Sequence, residues 1–130
     1  MIASLDHLVL TVADIDATVA FYRDVLGMRK IAFGEGRLAL AYGAQKINLH
    51  RVGQEFEPKS ARPTPGSADL CFLLDVSLDT ARGRLRKAGI AVEEGPVDRT
   101  GATGPIRSLY VRDPDGNLIE LSIPADPSSA

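Results

Sequence analysis

A spacing of 62 residues recurs along this chain: it separates His7 from Asp69, and it also separates Gly27 from Gly89. The same shift lays L-D-H-L-V-L against S-A-D-L-C-F and one amphipathic segment against another. Two copies of one supersecondary unit should fold alike, so the repeat constrains the architecture before any single residue does. In the first copy, Leu5 to Val12 alternates as a strand, and Asp14-Ile15-Asp16 offers N-caps for a helix over about Ala17 to Leu26. Val19, Tyr22 and Leu26 lie on one face of that helix, and Gly27 stops it. Met28 to Phe33, Arg37 to Tyr42 and Gln45 to Val52 read as three further strands. After a loop from Gly53 to Ser67 the order returns as strand Ala68 to Asp75, helix about Leu78 to Lys87, Gly89, and strands near Ile90 to Glu94, Ile106 to Arg112 and Asn117 to Ile123. The expected fold class is α+β, two βαβββ modules forming curved mixed sheets in a single domain over 1–130, with module one about 5–52 and module two about 68–123.

Towards the module ends the shift grows to 72, because the loop from Gly95 to Pro105 is longer than its counterpart. Q-K-I-N-L-H then lies against N-L-I-E-L-S, matching Asn48 with Glu120 and His50 with Ser122. Glu120 stands between Ile119 and Leu121, so it either points to solvent or is held where a cation balances it. By strand alternation His7 shares a face with Leu5 and Val9, Asn48 with His50, and Glu120 with Ser122. Sheets placed side by side would gather these positions as a cation needs. Imidazole and carboxylate donors suit Mn, Fe, Co, Ni or Zn, whereas an all-oxygen cage would suit Ca or Mg.

The formal charge is −2 with both signs interspersed, which leaves no basic field for nucleic acid and no membrane-surface patch. The opening M-I-A-S-L-D-H lacks a signal-peptide pattern, and no apolar run approaches the ~18 residues of a spanning helix. A cytoplasmic location and a small-molecule substrate are the expectation. At 45% hydrophobic and 25% charged, the chain can bury an ordinary core, within which the lone Cys71 reads as a small packed residue. Arg99 to Gly104 reads as a turn-rich flap, and Ala125 to Ala130 as a loose tail.

D-H-L-V-L-T-V-A-D-I-D-A-T-V-A-F-Y-R-D-V-L-G-M and Y-V-R-D-P-D-G-N-L-I-E-L resemble the opening and closing signatures of the vicinal oxygen chelate superfamily of glyoxalases, bleomycin-resistance proteins and dioxygenases. The resemblance runs from about Leu5 to Ile123. Q-K-I-N-L-H-x-V-G-x-E-F-E-P-K, G-S-A-D-L-C and E-E-G-P-V-x-R-T-G-A-x-G-P-I-x-S-x-Y are most similar to the branch holding glyoxalase-domain-containing protein 5 and bacterial virulence proteins. It implies the glyoxalase/bleomycin-resistance fold, a homodimer, and a divalent metal ion held by one residue from each first and last strand.

Residue by residue, those ligand positions fall on His7, on the fourth strand of module one, on Asp69 and on Glu120. The pattern is broken twice, by Asp69 where histidine is usual and by Asn48 where glyoxalase I has glutamate. His50 can supply the missing nitrogen, giving the set His7, His50, Asp69 and Glu120, with Glu120 also the catalytic residue. Two of these have a second reading: His50 as a strand cap beside Arg51, and Asp69 as a hydrogen-bond partner of backbone near Gly66 and Ser67. Two function classes follow from the resemblance. One is a metal-dependent enzyme, lyase or isomerase, thiol transferase or dioxygenase, that stabilises an enolate or oxyanion of an oxygen-rich substrate. The other is a non-catalytic, drug-sequestering protein of the bleomycin-resistance kind, for which a chain with no Trp and 5% aromatic residues is poorly equipped.

Overall fold

The computed structural model describes residues 1–125 and places them in two units, residues 1–68 with 114–116, and residues 69–113 with 117 onwards. Each unit carries one four-stranded mixed sheet, which is the α+β architecture expected. Of the tail expected to be loose, residues 126–130 lie outside the described residues, while the Ala125 amide donates to the Pro105 carbonyl at 2.9 Å. Among the described residues no helix is long and apolar enough to cross a membrane.

Module one runs β1 (His7–Val12), α1 (Ile15–Val19), a π-helical continuation (Ala20–Val25), β2 (Arg29–Phe33), β3 (Arg37–Tyr42) and β4 (Gln45–Arg51). Its strands lie in the order β1-β4-β3-β2, with β1 parallel to β4 and the other pairs antiparallel. Asp14 caps α1 by accepting the Ala17 amide at 3.0 Å. The helix starts two residues before the expected position and is not regular throughout: its second half widens to i→i−5 bonding, as in Leu26 N–H to Phe21 C=O at 3.2 Å. The widened turn accommodates the consecutive Phe21 and Tyr22, both buried and packed edge to face with centroids 5.0 Å apart. Gly27 then takes φ 82°, a conformation that ends a helix at little cost only in glycine.

Module two repeats the order with β5 (Asp69–Leu73), α2 (Leu78–Lys87), β6 (Glu94–Thr100), β7 (Pro105–Arg112) and β8 (Leu118–Pro124), arranged β5-β8-β7-β6. Ser77 caps α2 through the Thr80 amide, Leu78, Ala81 and Leu85 form its buried stripe, and Arg84, Arg86 and Lys87 sit at its negative end. Gly89, at φ 73°, ends this module's helix segment as Gly27 does in module one. The strand registers reproduce both repeat shifts: His7 pairs with Lys46 in one sheet, and Asp69 pairs with Leu118 in the other.

One strand differs from expectation. Ile90 to Glu93 lie outside β6; the strand is Glu94–Thr100, which keeps only Glu94 of the expected range and otherwise runs through the stretch expected to be loop and flap, and only 101–104 turns. Gly95 and Pro96 read as breakers, but they form an irregularity between Glu94 and Val97 on an edge strand, where a missing N–H removes no ladder bond. Gly95 is required there, since it has φ 117° and a Cβ would collide with the Ser108 carbonyl oxygen.

D-P-D-G-N in the closing signature is a structural turn. Asp113 accepts the Asn117 amide at 3.0 Å and its side-chain N–H at 2.8 Å, with both side chains buried. In the other unit, Asp115 accepts the Ala13 amide at 3.2 Å.

Candidate functional site

In module one, strand alternation and register sort the side chains into two faces. Leu10, Val12, Leu40, Ile47 and Leu49 form the apolar face and are buried. The other face carries His7, Val9 and Thr11 from β1, opposite Lys46, Asn48 and His50 of β4. On β3 that face continues with Arg37, Ala39 and Ala41, and on β2 with Arg29, Ile31 and Phe33.

His50 is 3% exposed and Asn48 5%, and neither His50 Nε2 nor Asn48 Oδ1 has a hydrogen-bond partner among the described residues. An unmade bond at a buried polar atom costs about 1–3 kcal/mol, so two such atoms on one strand face point to a group that would satisfy them. The His50 ring meets Phe56 edge-on at 5.6 Å, which places the 53–67 loop over it. Burial, then the Arg37 charge, push the His50 pKa down, against the weaker pull of Glu55 and Glu57. Near neutral pH its imidazole is therefore uncharged, with a nitrogen lone pair to offer.

His7 is exposed at the start of β1, and its Nδ1 donates to Asp6 Oδ2 at 2.8 Å. A carboxylate on one imidazole nitrogen fixes the tautomer and leaves Nε2 as the acceptor, the arrangement that orients metal-binding histidines. His7 lies opposite Lys46 and His50 opposite Thr11, so the two histidines are four residues apart along the strand direction, roughly 13 Å. Asn48, opposite Val9, lies between them.

In module two the corresponding face carries Glu120, flanked by Cys71 on β5 and Tyr110 on β7. Glu120 is half-buried, and Ser108 Oγ donates to its Oε2 at 2.6 Å. Ser108 has one proton, so Ser122 donates to Ser108 at 2.7 Å, and the Cys71 thiol in turn donates to Ser122 at 3.3 Å. The chain of hydroxyls thus runs toward the carboxylate. Cys71, expected to be packed, is exposed as a residue, yet partial burial of its thiol pushes the pKa up, the Ser122 hydrogen bond opposes this, and the charges of Glu120 and Asp69 add to it. Cys71 is consequently protonated near neutral pH and is a poor nucleophile.

Asp69 is exposed at the start of β5. The alternative partnership near the loop exit is not formed among the described residues: Ser67 Oγ donates to the Thr64 carbonyl at 2.8 Å, and no side-chain hydrogen bond engages Asp69. Arg99, expected on a flap, is held in β6, donating to the Tyr110 hydroxyl at 3.0 Å and to Glu94 at 3.2 Å. Among the described residues no three His, Cys, Asp or Glu side chains are gathered as a metal-holding group. The donors present in module one are a neutral imidazole and an amide oxygen, and in module two a carboxylate. The imidazole nitrogen and amide oxygen of module one are themselves a mixed N/O pair of the kind that suits Mn, Fe, Co, Ni or Zn. Asp6 and Ser108 were not singled out from sequence; the adjacency of Asp6 to His7 and the serine facing Ser122 across two strands are the signals that mark them.

Comparison with known proteins gives consistent results. The chain is 57% identical over 122 residues to Virulence protein STM3117 of Salmonella typhimurium, covering 94% of this chain and 85% of that protein. The crystal structure of that protein superimposes with a TM-score of 0.94 at 56% identity, covering 96% of this chain and 99% of the other. Glyoxalase domain-containing protein RDO1 of Mycosarcoma maydis is 60% identical over 121 residues, 93% of this chain and 68% of the relative. An ethylmalonyl-CoA/methylmalonyl-CoA epimerase of Cereibacter sphaeroides is 32% identical over 133 aligned positions, 93% of this chain and 98% of the relative. With residues 4–121 also matching the family model, the chain belongs to the Glyoxalase/Bleomycin resistance protein/Dioxygenase superfamily.

Proposed function

We propose that this chain is a divalent-metal-dependent enzyme that moves a proton on a small, oxygen-rich substrate. The observation that carries this reading is the buried, unpartnered pair His50 Nε2 and Asn48 Oδ1 on one face of β4. Candidate donors are His7, Asn48 and His50 of module one and Asp69 and Glu120 of module two, Asn48 being added to the four positions read from sequence. When bound, a divalent ion supplies Lewis-acid polarisation of a substrate oxygen. The protein's own part falls to Glu120, the carboxylate that would take a proton from a substrate carbon and return it. Ser108 holds its Oε2 in place, and the protonated Cys71 adds no competing charge. Similarity to an epimerase over 93% of the chain supports the proton-transfer class. The homodimer belongs to the same reading, and a monomeric mass by light scattering would remove it.

The test is equilibrium dialysis of metal-stripped protein against Ni, Mn, Fe, Co and Zn, with elemental analysis of the wild type and the His7→Ala, Asn48→Ala, His50→Ala and Glu120→Ala variants. Saturable binding weakened by Asn48→Ala, and by at least one of the histidine variants, is expected. If no ion binds saturably, or every variant binds as the wild type does, the proposal is wrong. Tight binding of a small molecule by the metal-free protein, without turnover when metal is restored, would favour the drug-sequestering alternative.

A further inference from the structure

The face of module one that carries His50 and Asn48 also holds three cations without a carboxylate partner, exposed Arg29 and half-buried Arg37 and Lys46, and the last two are held together. Arg37 and Lys46 are absent from every ion pair among the described residues, whereas Arg23, Lys59, Arg82, Arg99, Arg107 and Arg112 each take one. What holds them instead is aromatic. The Arg37 guanidinium carbon lies 5.0 Å from the Phe33 centroid and 4.9 Å from that of Phe56, and Lys46 Nζ lies 3.7 Å from Phe33. One phenyl ring thus has two like charges against it. β3 separates Lys46 on β4 from Phe33 on β2, and besides Arg37 it presents on this face the small Ala39 and Ala41, which leave room for the lysine stem to cross.

A guanidinium and an ammonium fixed beside one ring repel each other, and both residues are half-buried, so solvent screens them less than it would on an open surface. The nearby carboxylates are otherwise engaged: Glu57 pairs with Lys59, and Glu55 accepts the Gly53 amide at 2.7 Å. An arginine fork and a lysine point charge on one face are the groups that recognise carboxylate and phosphoryl oxygens. Phe56 touches both Arg37 and His50, which ties this cationic patch to the unpartnered imidazole.

We infer that Arg37 and Lys46, set around Phe33, form an oxyanion-binding subsite, and that the substrate is a small anion carrying a carboxylate or phosphoryl group. This rests on the proposed function only in assigning the anion to the substrate; the subsite itself needs no metal. The experiment titrates metal-stripped full-length protein with inorganic phosphate and, separately, with succinate, followed by calorimetry and by amide shifts of β3 and β4. Saturable binding of at least one probe is expected, weakened roughly tenfold by Arg37→Gln and by Lys46→Gln. It should be unchanged in Lys30→Gln, a variant on the opposite face of β2. Preference between the two probes identifies the group recognised. Absence of saturation by both probes, or equal affinity in the wild type and both variants with circular dichroism unchanged, overturns the subsite. Anion binding that survives His50→Ala while metal binding fails leaves the subsite standing alone, and the converse leaves the metal reading standing alone.

Discussion

Ser108 is the residue through which the fold is expected to hold its candidate catalytic carboxylate, and Ser108→Ala isolates that role. The side chain is fully buried, donates to Glu120 Oε2 at 2.6 Å and receives Ser122 Oγ at 2.7 Å. Alanine removes one hydroxyl, so packing changes little and the loss is almost wholly polar. A hydrogen bond to a charged acceptor contributes about 1.5–3 kcal/mol, and the lower end applies here because Glu120 is only half-buried. Ser122 loses its acceptor as well, which adds about 1 kcal/mol. Urea unfolding of Ser108→Ala at pH 7 should therefore show a loss of about 2–3 kcal/mol, against about 1 kcal/mol for Ser122→Ala, with a double mutant less destabilised than the sum. If Glu120 binds metal, losing its orienting donor should weaken the ion roughly 10- to 100-fold in the dialysis assay. A stability change under about 0.5 kcal/mol, or a strictly additive double mutant, would refute the coupling of the two serines in the chain that ends on Glu120.

Three further outcomes are expected. Asn117→Ala should cost about 2–3 kcal/mol in urea unfolding by breaking the buried Asp113 clasp, and should raise amide exchange in β7 and β8; exchange confined to the turn would show that the clasp is local. Gly95→Ala should cost roughly 3 kcal/mol or more through its collision with the Ser108 carbonyl and its φ of 117°, and a near-neutral change would mean β6 shifts freely. The lowered His50 pKa makes the folded, metal-free protein bind fewer protons than the unfolded chain, so its stability is fully present above the ordinary value of 6.5 and is lost as pH falls through the lowered folded value. The urea midpoint of the wild type should fall between pH 7.5 and pH 5 more than that of His50→Gln, and parallel curves would contradict this.

The repeat made most of the fold legible, since strand alternation and the two helix-ending glycines recur in both modules and the same registers result. Two elements were hidden for identifiable reasons. β6 contains Gly95 and Pro96, whose breaker character is neutralised by an edge position and a change of register, conditions set by the neighbouring strand. The π-helical turn coincides with two adjacent buried aromatic residues, an arrangement that helical periodicity does not anticipate. At the site, alternation gave the faces but not the depth. His7 and His50 are both histidines on one face, yet one is exposed and the other covered by Phe56, a residue from a loop without periodicity. Ser108 was invisible because its partners Glu120 and Ser122 arrive through antiparallel pairing from twelve and fourteen residues away.

The matched registers of the two sheets make this molecule its own control. Asn48 and Glu120 occupy equivalent positions in two copies of one scaffold, one held by three hydroxyl and thiol groups in series and the other left without a partner. Exchanging the two side chains, Asn48→Glu with Glu120→Asn, keeps composition and net charge constant while moving a carboxylate from a furnished setting to an unfurnished one. Because the scaffold is the same in both halves, any difference the exchange produces belongs to the surroundings of the carboxylate, the hydroxyls of Ser108 and Ser122 and the Cys71 thiol, and not to the strand that carries it.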